Sequence, residues 1–547
     1  MTEKVNVLLV VPRTSEKRSS AITQAGAEHL GLAYLASFLR SYQYKVNIIN
    51  MEIVDNLNVW QVTDSVDNLS YSYVLDQIAK ENINFVGITV TLLTIHQSLE
   101  LTKQIREKYP NIKICFGGPH VSVCPKQVID NEAMVDFVIV GDGEEPLLQL
   151  VQAIENNESY ENIPGLVFRD DSGKTIINKL TSSVNENIDI LPRPSRDDLI
   201  FAKQYGNIYE ARLSTSRGCK EHCTFCCDPA IYPDRKWIGR SAKLVVDEIE
   251  YLNKEHGIQH FWINDDNFIP PTEEGRKRAK EIAEEIIKRD IKITYRALFR
   301  ANTFHKDDEL LPLLSQSGLT IAYVGFESGS QVKLKRYCKK TTVEQYYILV
   351  EELRKNNIGL QIGFIMFDPF TTFQEIKDDA LFLRNIGELY LLSNFVQILD
   401  VFPKTAISRM MIKHELLLDE IGYKSNYCNY KFQDTRVEEI ARELNKCYVG
   451  DIVDIDKQLQ RMKLIEVPGI ATELDKSQLE KFKFDSNEMF EKVNKKNYSF
   501  LTILSARSEE GKWTREEFKD ELSSVVEFSR QQLDNLKQLC RDYKGER

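Results

Sequence analysis

Residues 214–232 read STSRGCKEHCTFCCDPAIY. The stretch carries Cys219, Cys223, Cys226 and Cys227, four of the ten cysteines in a chain of 547 residues. It follows the run IYEARL, which reads as a strand, so the cysteines sit in a strand-end loop. The first three are spaced C-x3-C-x2-C, which lets a tight loop wrap three thiolates around one corner of a cluster. Four-cysteine iron–sulfur sites saturate their irons, whereas three cysteines leave one iron open for chemistry. A single zinc, with His222 or Cys227 as fourth ligand, is the alternative. Zinc sites usually pair two ligand couples well apart in sequence, and no second couple is present.

The rest of the chain sets the context for that loop. Composition is 42% hydrophobic and 28% charged, with 71 basic against 82 acidic residues and a net charge of −11. That balance gives no whole-chain field for nucleic acid. No apolar run approaches the roughly 20 residues that span a bilayer. The opening MTEKVNVLLVVPR reads as a buried strand rather than a signal peptide. The expected location is the cytoplasm, where thiols stay reduced and clustered cysteines serve metals or catalysis.

Outward from the loop, strands and helices alternate. A series starting near Tyr209 contains IYEARLSTS, HFWINDDNF, KITYRALFRAN, IAYVGFESGS, LQIGFIMFD and FVQILDVFP, separated by helical segments such as SAKLVVDEIEYLNKE. Six such units predict a partial (β/α)6 barrel of the TIM type, with chemistry at the carboxyl ends of its strands. Before it, VNVLLVV, YKVNIIN, NFVGITV, IKICFGG and VDFVIVGDG interleave with helices such as HLGLAYLASFLRS and EEPLLQLVQAIEN. These predict a doubly wound, Rossmann-like parallel sheet. After it the pattern turns helical; Thr514 and Glu517 form a capping box ahead of a stripe of Phe518, Leu522, Val525, Leu533 and Leu536. The fold class is α/β, with an N-terminal domain over 1–156, a linker with a hairpin over 157–204, the barrel over 205–404 and a mainly helical C-terminal domain over 405–547.

The cysteine spacing, with Phe225 before the third cysteine, resembles the radical S-adenosylmethionine superfamily. The resemblance implies a four-iron, four-sulfur cluster on Cys219, Cys223 and Cys226, whose open iron chelates S-adenosylmethionine. By the same resemblance Asp265, in FWINDDNF, holds the methionine amino group, Arg300 pairs with its carboxylate, and Glu327 and Ser328, in VGFESGS, hold the ribose. The chemistry implied is reductive cleavage to a 5′-deoxyadenosyl radical that removes a hydrogen atom from a small-molecule substrate. The electron comes from a donor such as flavodoxin or ferredoxin.

The first 156 residues resemble the cobalamin-binding domain that precedes many members of that superfamily. The matching pieces are EHLGLAYLASFLR, GITVTLLT, CFGGPHVSVCP and VIVGDGEEPL. Thr89, Thr91, Gly117, Gly118, Gly141, Gly143 and Glu144 fall at strand ends, where open α/β sheets bind ligands. Glycines that only serve tight turns would give the same pattern. No Asp-x-His-x-x-Gly motif follows the first strand, and His29, His96 and His120 lack its context, so the resemblance implies cobalamin held without a histidine ligand. The expected function is methyl transfer to an unactivated carbon. A ring-forming or rearranging enzyme built from the same parts is one alternative, and a non-enzymatic iron–sulfur sensor or scaffold another. A six-stranded barrel leaves an open side, so the tail is expected to cover the barrel mouth and touch substrate. A peripheral bundle that only stabilises or dimerises is the alternative.

Overall fold

The structure, a computed structural model, describes residues 4–14, 28–59, 69–180, 187–204, 210–232, 236–419, 422–424, 429–467 and 474–544. The start of the second series near Tyr209 lies outside these residues. The first sheet contains β1 (Asn6–Val11), β2 (Lys45–Asn50), β3 (Phe85–Thr89), β4 (Lys113–Gly117), β5 (Phe137–Ile139), β6 (Leu166–Arg169) and β7 (Thr175–Ile177), in the order 2-1-3-4-5-6-7. The first five strands are parallel. Strand β1 is apolar from Val7 onward because both its faces are covered. Leu8 and Val10 face one layer of helices, and Val7, Leu9 and Val11 face the other.

The hairpin expected in the linker is β6 and β7, and it extends this sheet antiparallel from β5. Edge carbonyls and amides of β5 need partners, and the hairpin supplies them. The Pro-rich stretch after it is also fixed in place. Arg196 is buried, bonded to Glu28 at 2.7 Å and to Glu248, and so ties the front domain to the barrel's first helix, Ala242–His256.

The second sheet starts with β8 (Glu210–Leu213). After a small antiparallel pair, β9 (Ser216–Arg217) with β10 (Ile238–Gly239), come β11 (His260–Ile263), β12 (Thr294–Arg300), β13 (Leu319–Glu327) and β14 (Gly359–Phe364). Its order is 14-13-12-11-8, all parallel. The sixth segment, FVQILDVFP, continues the series through one parallel bridge between Phe367 and Ile398. Alternation sorts each strand. Ala211, Leu213, Phe261, Ile263, Ala297 and Phe299 are buried under the surrounding helices. Arg212, Trp262, Arg296 and Tyr323 point the other way and are only partly buried. The Arg296 guanidinium stacks 3.9 Å from the Trp262 ring centroid. The barrel lumen is therefore polar.

Of the tail helices Thr435–Cys447, Asp451–Ile465, Lys476–Glu509 and Arg515–Lys544, the first and parts of the last two belong to the same core, while Leu459, Phe482, Phe490, Leu533 and Leu536 form a separate apolar cluster. Val437, Ile440, Leu444, Phe500, Phe518, Leu522 and Val525 join the barrel's apolar cluster. Thr514 accepts a hydrogen bond from the Glu517 amide at 3.3 Å, as the capping pattern predicts. Helix Asp451–Ile465 and the segment after it run beside β14, where a closed barrel would have a further strand; a Cβ on Gly359 would stand 2.7 Å from Val467.

Candidate active site

The carboxyl ends of the two sheets face each other across a cavity of about 340 Å³. Its front-domain wall includes Thr89, Gly117, Gly118, Gly141, Gly143 and Glu144, and its barrel wall includes Ser216, Arg217, Asn264 and Asp266. Gly118 has φ +102, and a Cβ there would stand 2.8 Å from the Val90 carbonyl oxygen. No larger residue fits that turn, and the bare backbone leaves a floor that a flat ligand can approach.

Thr91 is turned away from this role. Its amide donates to Thr94 Oγ1 at 2.9 Å and its hydroxyl lies 3.2 Å from the same oxygen, closing the turn before helix Ile95–Lys108. Glu144 borders the cavity, but both its carboxylate oxygens are bonded to Arg217, at 2.5 and 3.2 Å. His29 also lines the cavity. Its Nδ1 accepts from the Leu32 amide at 3.2 Å and its Nε2 lies 3.5 Å from Thr89 Oγ1. Burial, reinforced by Arg212, pulls its pKa down to about 4, so the ring is neutral.

The cysteine loop is anchored in the barrel at its middle. The Thr224 amide donates to the Tyr337 carbonyl at 3.1 Å, and the Thr224 carbonyl accepts from the Ile407 amide at 2.9 Å. Phe225 packs edge-on against Tyr337 with centroids 5.2 Å apart. Cys219, Cys223 and Cys226 are free thiols of intermediate exposure on this one loop. Burial raises the Cys219 and Cys226 pKa values, and the Arg300 charge opposes this at Cys219. Arg300 Nη1 donates to Cys223 Sγ at 3.3 Å, a contact that favours thiolate. Arg300 Nη2 donates to the Lys339 carbonyl at 2.5 Å, while its buried Nε has no partner among the described residues.

Two residues expected at the barrel site are already hydrogen-bonded within the fold. Asp265 is buried, and its carboxylate accepts from the Thr215 amide and hydroxyl, each at 2.6 Å, and from Ser216 Oγ at 2.7 Å. It braces the strand end below the cysteine loop and does not line the cavity. Its neighbours Asn264 and Asp266 are the ones that line the cavity. Ser328 is fully buried and donates to Asp379 Oδ1 at 2.5 Å, within a pair that includes Lys333 at 3.0 Å. Glu327 stands in the left-handed region at φ +64, where the β13–β14 register shifts, and pairs with Lys339 at 3.1 Å. A glutamate held at positive φ is a strained position, and such strain concentrates at functional sites. Glu327 also borders a second cavity, of about 380 Å³, between β11–β14 and the tail residues Tyr448, Asp456, Lys457, Gln460 and Lys463.

Residues 24–151 match the B12 binding domain family, and residues 213–383 match the Radical SAM superfamily. The chain is a cobalamin-dependent radical S-adenosylmethionine enzyme. Its relatives include an uncharacterized methyltransferase of Pyrococcus horikoshii, 27% identical over 82% of this chain and 92% of that protein. The anaerobic magnesium-protoporphyrin IX monomethyl ester cyclase of Rubrivivax gelatinosus is 28% identical over 61% of this chain, which spans 58% of that protein. The cytidylyl-2-hydroxyethylphosphonate methyltransferase of Streptomyces wedmorensis is 28% identical over 62% of this chain and 69% of its own length. The fold of this radical S-adenosylmethionine enzyme is that of the cobalamin-dependent S-adenosylmethionine radical enzyme OxsB, solved with aqua-cobalamin and S-adenosylmethionine. The TM-score is 0.71 at 21% identity, covering 100% of this chain and 81% of that one. It is similar also to the methyltransferase TsrM from Kitasatospora setae, at TM-score 0.60 and 17% identity over 75% of each chain.

The residues present fit the groups this family carries. Three thiols on one loop, with a guanidinium on the middle one, form a cluster donor set. The unpartnered Arg300 Nε is a donor left over for an anionic ligand. The glycine-floored cavity is the crevice a corrinoid needs.

Sequence reading missed Arg217, Tyr232, Asn264 and Asp266. Arg217 was within the decisive stretch, but its partner Glu144 is 73 residues away. Asn264 and Asp266 flank the residue chosen, and strand alternation is the signal that separates them from it.

Proposed function

We propose that this enzyme methylates an unactivated carbon of a small-molecule substrate held between the two sheets. Support comes from one observation above the rest: a single cavity is walled by the glycine floor of the corrinoid domain and by the barrel strand ends that carry the cysteine loop. When bound, the cluster and S-adenosylmethionine supply a radical that removes a hydrogen atom from the substrate, and the corrinoid supplies the methyl group.

In this reading Cys219, Cys223 and Cys226 hold the cluster. Arg300 orients the methionine carboxylate through its unpartnered Nε–H, a charge-assisted donor suited to an anion. Asn264 and Asp266 take the part expected of Asp265, and Glu327 reaches the ribose. Thr89, Gly117, Gly118, Gly141 and Gly143 seat the corrinoid. The tail wall, with Lys457 and Gln460, keeps water out of the lumen and stops the radical from taking hydrogen elsewhere. The reductant is a one-electron carrier such as flavodoxin or ferredoxin in the cytoplasm; no described helix is long and apolar enough to cross a membrane.

The relatives also favour a second reading. They include magnesium-protoporphyrin cyclases and the 4′-phospho-dehydrooxetanocin synthase of Priestia megaterium, whose names describe ring chemistry rather than methylation. S-adenosylmethionine deuterated at its methyl group separates the two. Incubated anaerobically with reductant, cobalamin and a metabolite extract, the enzyme should yield 5′-deoxyadenosine, S-adenosylhomocysteine and a product carrying the labelled methyl. Deoxyadenosine with an unlabelled product would establish the ring-forming reading instead.

A further inference from the structure

The corrinoid-side loop Gly141–Glu144 and the cysteine loop come from different domains, yet they are bonded at both flanks of the cysteines. On the leading side is Arg217, two residues before Cys219. Its guanidinium bonds Glu144 at 2.5 and 3.2 Å and lies 3.7 Å from Asp142. It also stacks over Tyr34 at 5.4 Å. Glu144 is 4% exposed, and the two parallel bonds fix the geometry of the pair. Gly218, at φ +79, then turns the chain into Cys219.

On the trailing side is Tyr232, five residues after Cys227. Its hydroxyl donates to Asp142 Oδ1 at 3.2 Å. Its ring lies against Gly141, where a Cβ would approach within 2.9 Å. Helix Asp228–Ile231 links this anchor to the last cysteine. With Thr224 held by the barrel, the cysteine loop has three fixed points, and two of them are on the corrinoid domain.

We infer that Arg217 and Tyr232 are positioning residues that clamp the corrinoid-side loop to both ends of the cysteine loop, so that a corrinoid seated on Gly141 and Gly143 tightens the loop that carries the cluster. The inference rests on the reading of the cavity as a corrinoid site and of the loop as a cluster site. It goes further in making the two sites mechanically dependent. A ligand pressing on residues 141–144 loads two short, part-buried linkages that end beside Cys219 and Cys227. Packed contacts of this kind transmit small shifts that a solvated linker would absorb.

The test is hydrogen–deuterium exchange of amides 219–230 in the anaerobic, cluster-loaded full chain, with and without hydroxocobalamin. In the parent protein hydroxocobalamin should slow exchange in this segment. In R217Q and in Y232F, iron content and cobalamin absorbance should be retained while that cobalamin-dependent slowing is lost. A purely structural clamp would instead raise exchange equally with and without cobalamin. R40Q is the control, because it removes another contact of the front domain, the 2.5 Å pair of Arg40 with Asp197, and should leave the slowing intact. Should R217Q not fold, Y232F decides, since it deletes one hydroxyl and leaves the ring on Gly141. Slowing that persists in Y232F, or a parent loop indifferent to cobalamin, overturns the inference. A chain that binds neither iron nor cobalamin would instead overturn the reading on which it rests.

Discussion

Cys227 adjoins three proposed ligands, yet its surroundings are those of a packing residue. It lies against the apolar cluster of the front domain, and burial, with Asp228 next to it, pushes its thiol pKa up to about 11. Burial raises the Cys226 thiol as well, so what sets Cys227 apart is its place outside the C-x3-C-x2-C spacing. Replacing Cys219, Cys223 or Cys226 with Ala should therefore remove the cluster, while Cys227→Ala should keep about four irons per chain. Iron analysis of anaerobically purified protein checks this, and loss of iron in the Cys227 variant would contradict it. His29 makes a second case at the same scale. It is the histidine that lines the corrinoid cavity, but both its ring nitrogens are turned to groups of the fold. The cob(II)alamin form should show no nitrogen coupling from a protein imidazole in its electron paramagnetic resonance spectrum. Coupling that disappears in His29→Gln would show that the ring leaves Leu32 and Thr89 to bind cobalt.

Among the elements, the tail is tied most closely to the barrel. A lid over the mouth could be cut off, but these helices complete the barrel's own core and line its open side. Truncation before Lys431 would strip Phe432, Val437, Ile440, Leu444 and Phe518 from that core, so it should yield insoluble protein and would say nothing of catalysis. Point changes on the wall facing the cavity are the informative ones. Lys457→Ala and Gln460→Ala should preserve the cluster and the fold, raise uncoupled 5′-deoxyadenosine formation and lower product formed per deoxyadenosine several-fold. Unchanged coupling in both would remove the tail from substrate handling.

Glu388, on the loop after helix Phe373–Ile386, belongs to the same wall. Burial raises its pKa from 4.5 to about 8, against the pull of Lys463 and Arg354. The folded state then holds a proton that the unfolded state has lost, so between about pH 4.5 and pH 8 stability should fall as pH rises. Glu388→Gln should flatten that slope and raise the thermal midpoint at pH 8 more than at pH 5. An unaltered pH profile would mean the carboxyl is ionised in the fold.

Across the whole molecule, the two sheets are joined by a buried charge network. Arg196 from the connector bonds Glu28 of the front domain and Glu248 of the barrel, and Arg240 bonds Glu248 at 2.7 Å and Tyr34 at 3.0 Å. All three members of the Arg196 set are under 5% exposed. Removing the arginine leaves two buried carboxylates short of a partner, at a cost of about 3–5 kcal/mol. Arg196→Met should lower the denaturation midpoint accordingly. Because the network spans both domains, calorimetry of the parent should show front domain and barrel melting in one transition, and the Met variant should split it. Two separate transitions in the parent would show that the domains are energetically independent.

The sequence by itself determined the order of strands and helices, the doubly wound and barrel halves, and the cysteine loop with its chemistry. Those signals are local. Strands covered on both faces must be continuously apolar, as VLLVV (Val7–Val11) is, and a three-thiol loop is written in eight consecutive residues. Only the tertiary structure decided which neighbouring polar side chains face a ligand. Asp265 and Asp266 are adjacent and chemically alike, yet one is saturated by Thr215 and Ser216 and the other borders the cavity. Ser328 is held by Asp379, which comes from another helix, and Glu144 by an arginine of the other domain. The tail's place was equally illegible, since its apolar stripes state that it packs but not against what. A side chain's identity fixes which hydrogen bonds it can make; which of them are already taken depends on partners tens of residues away, and these meet it only when the chain is folded.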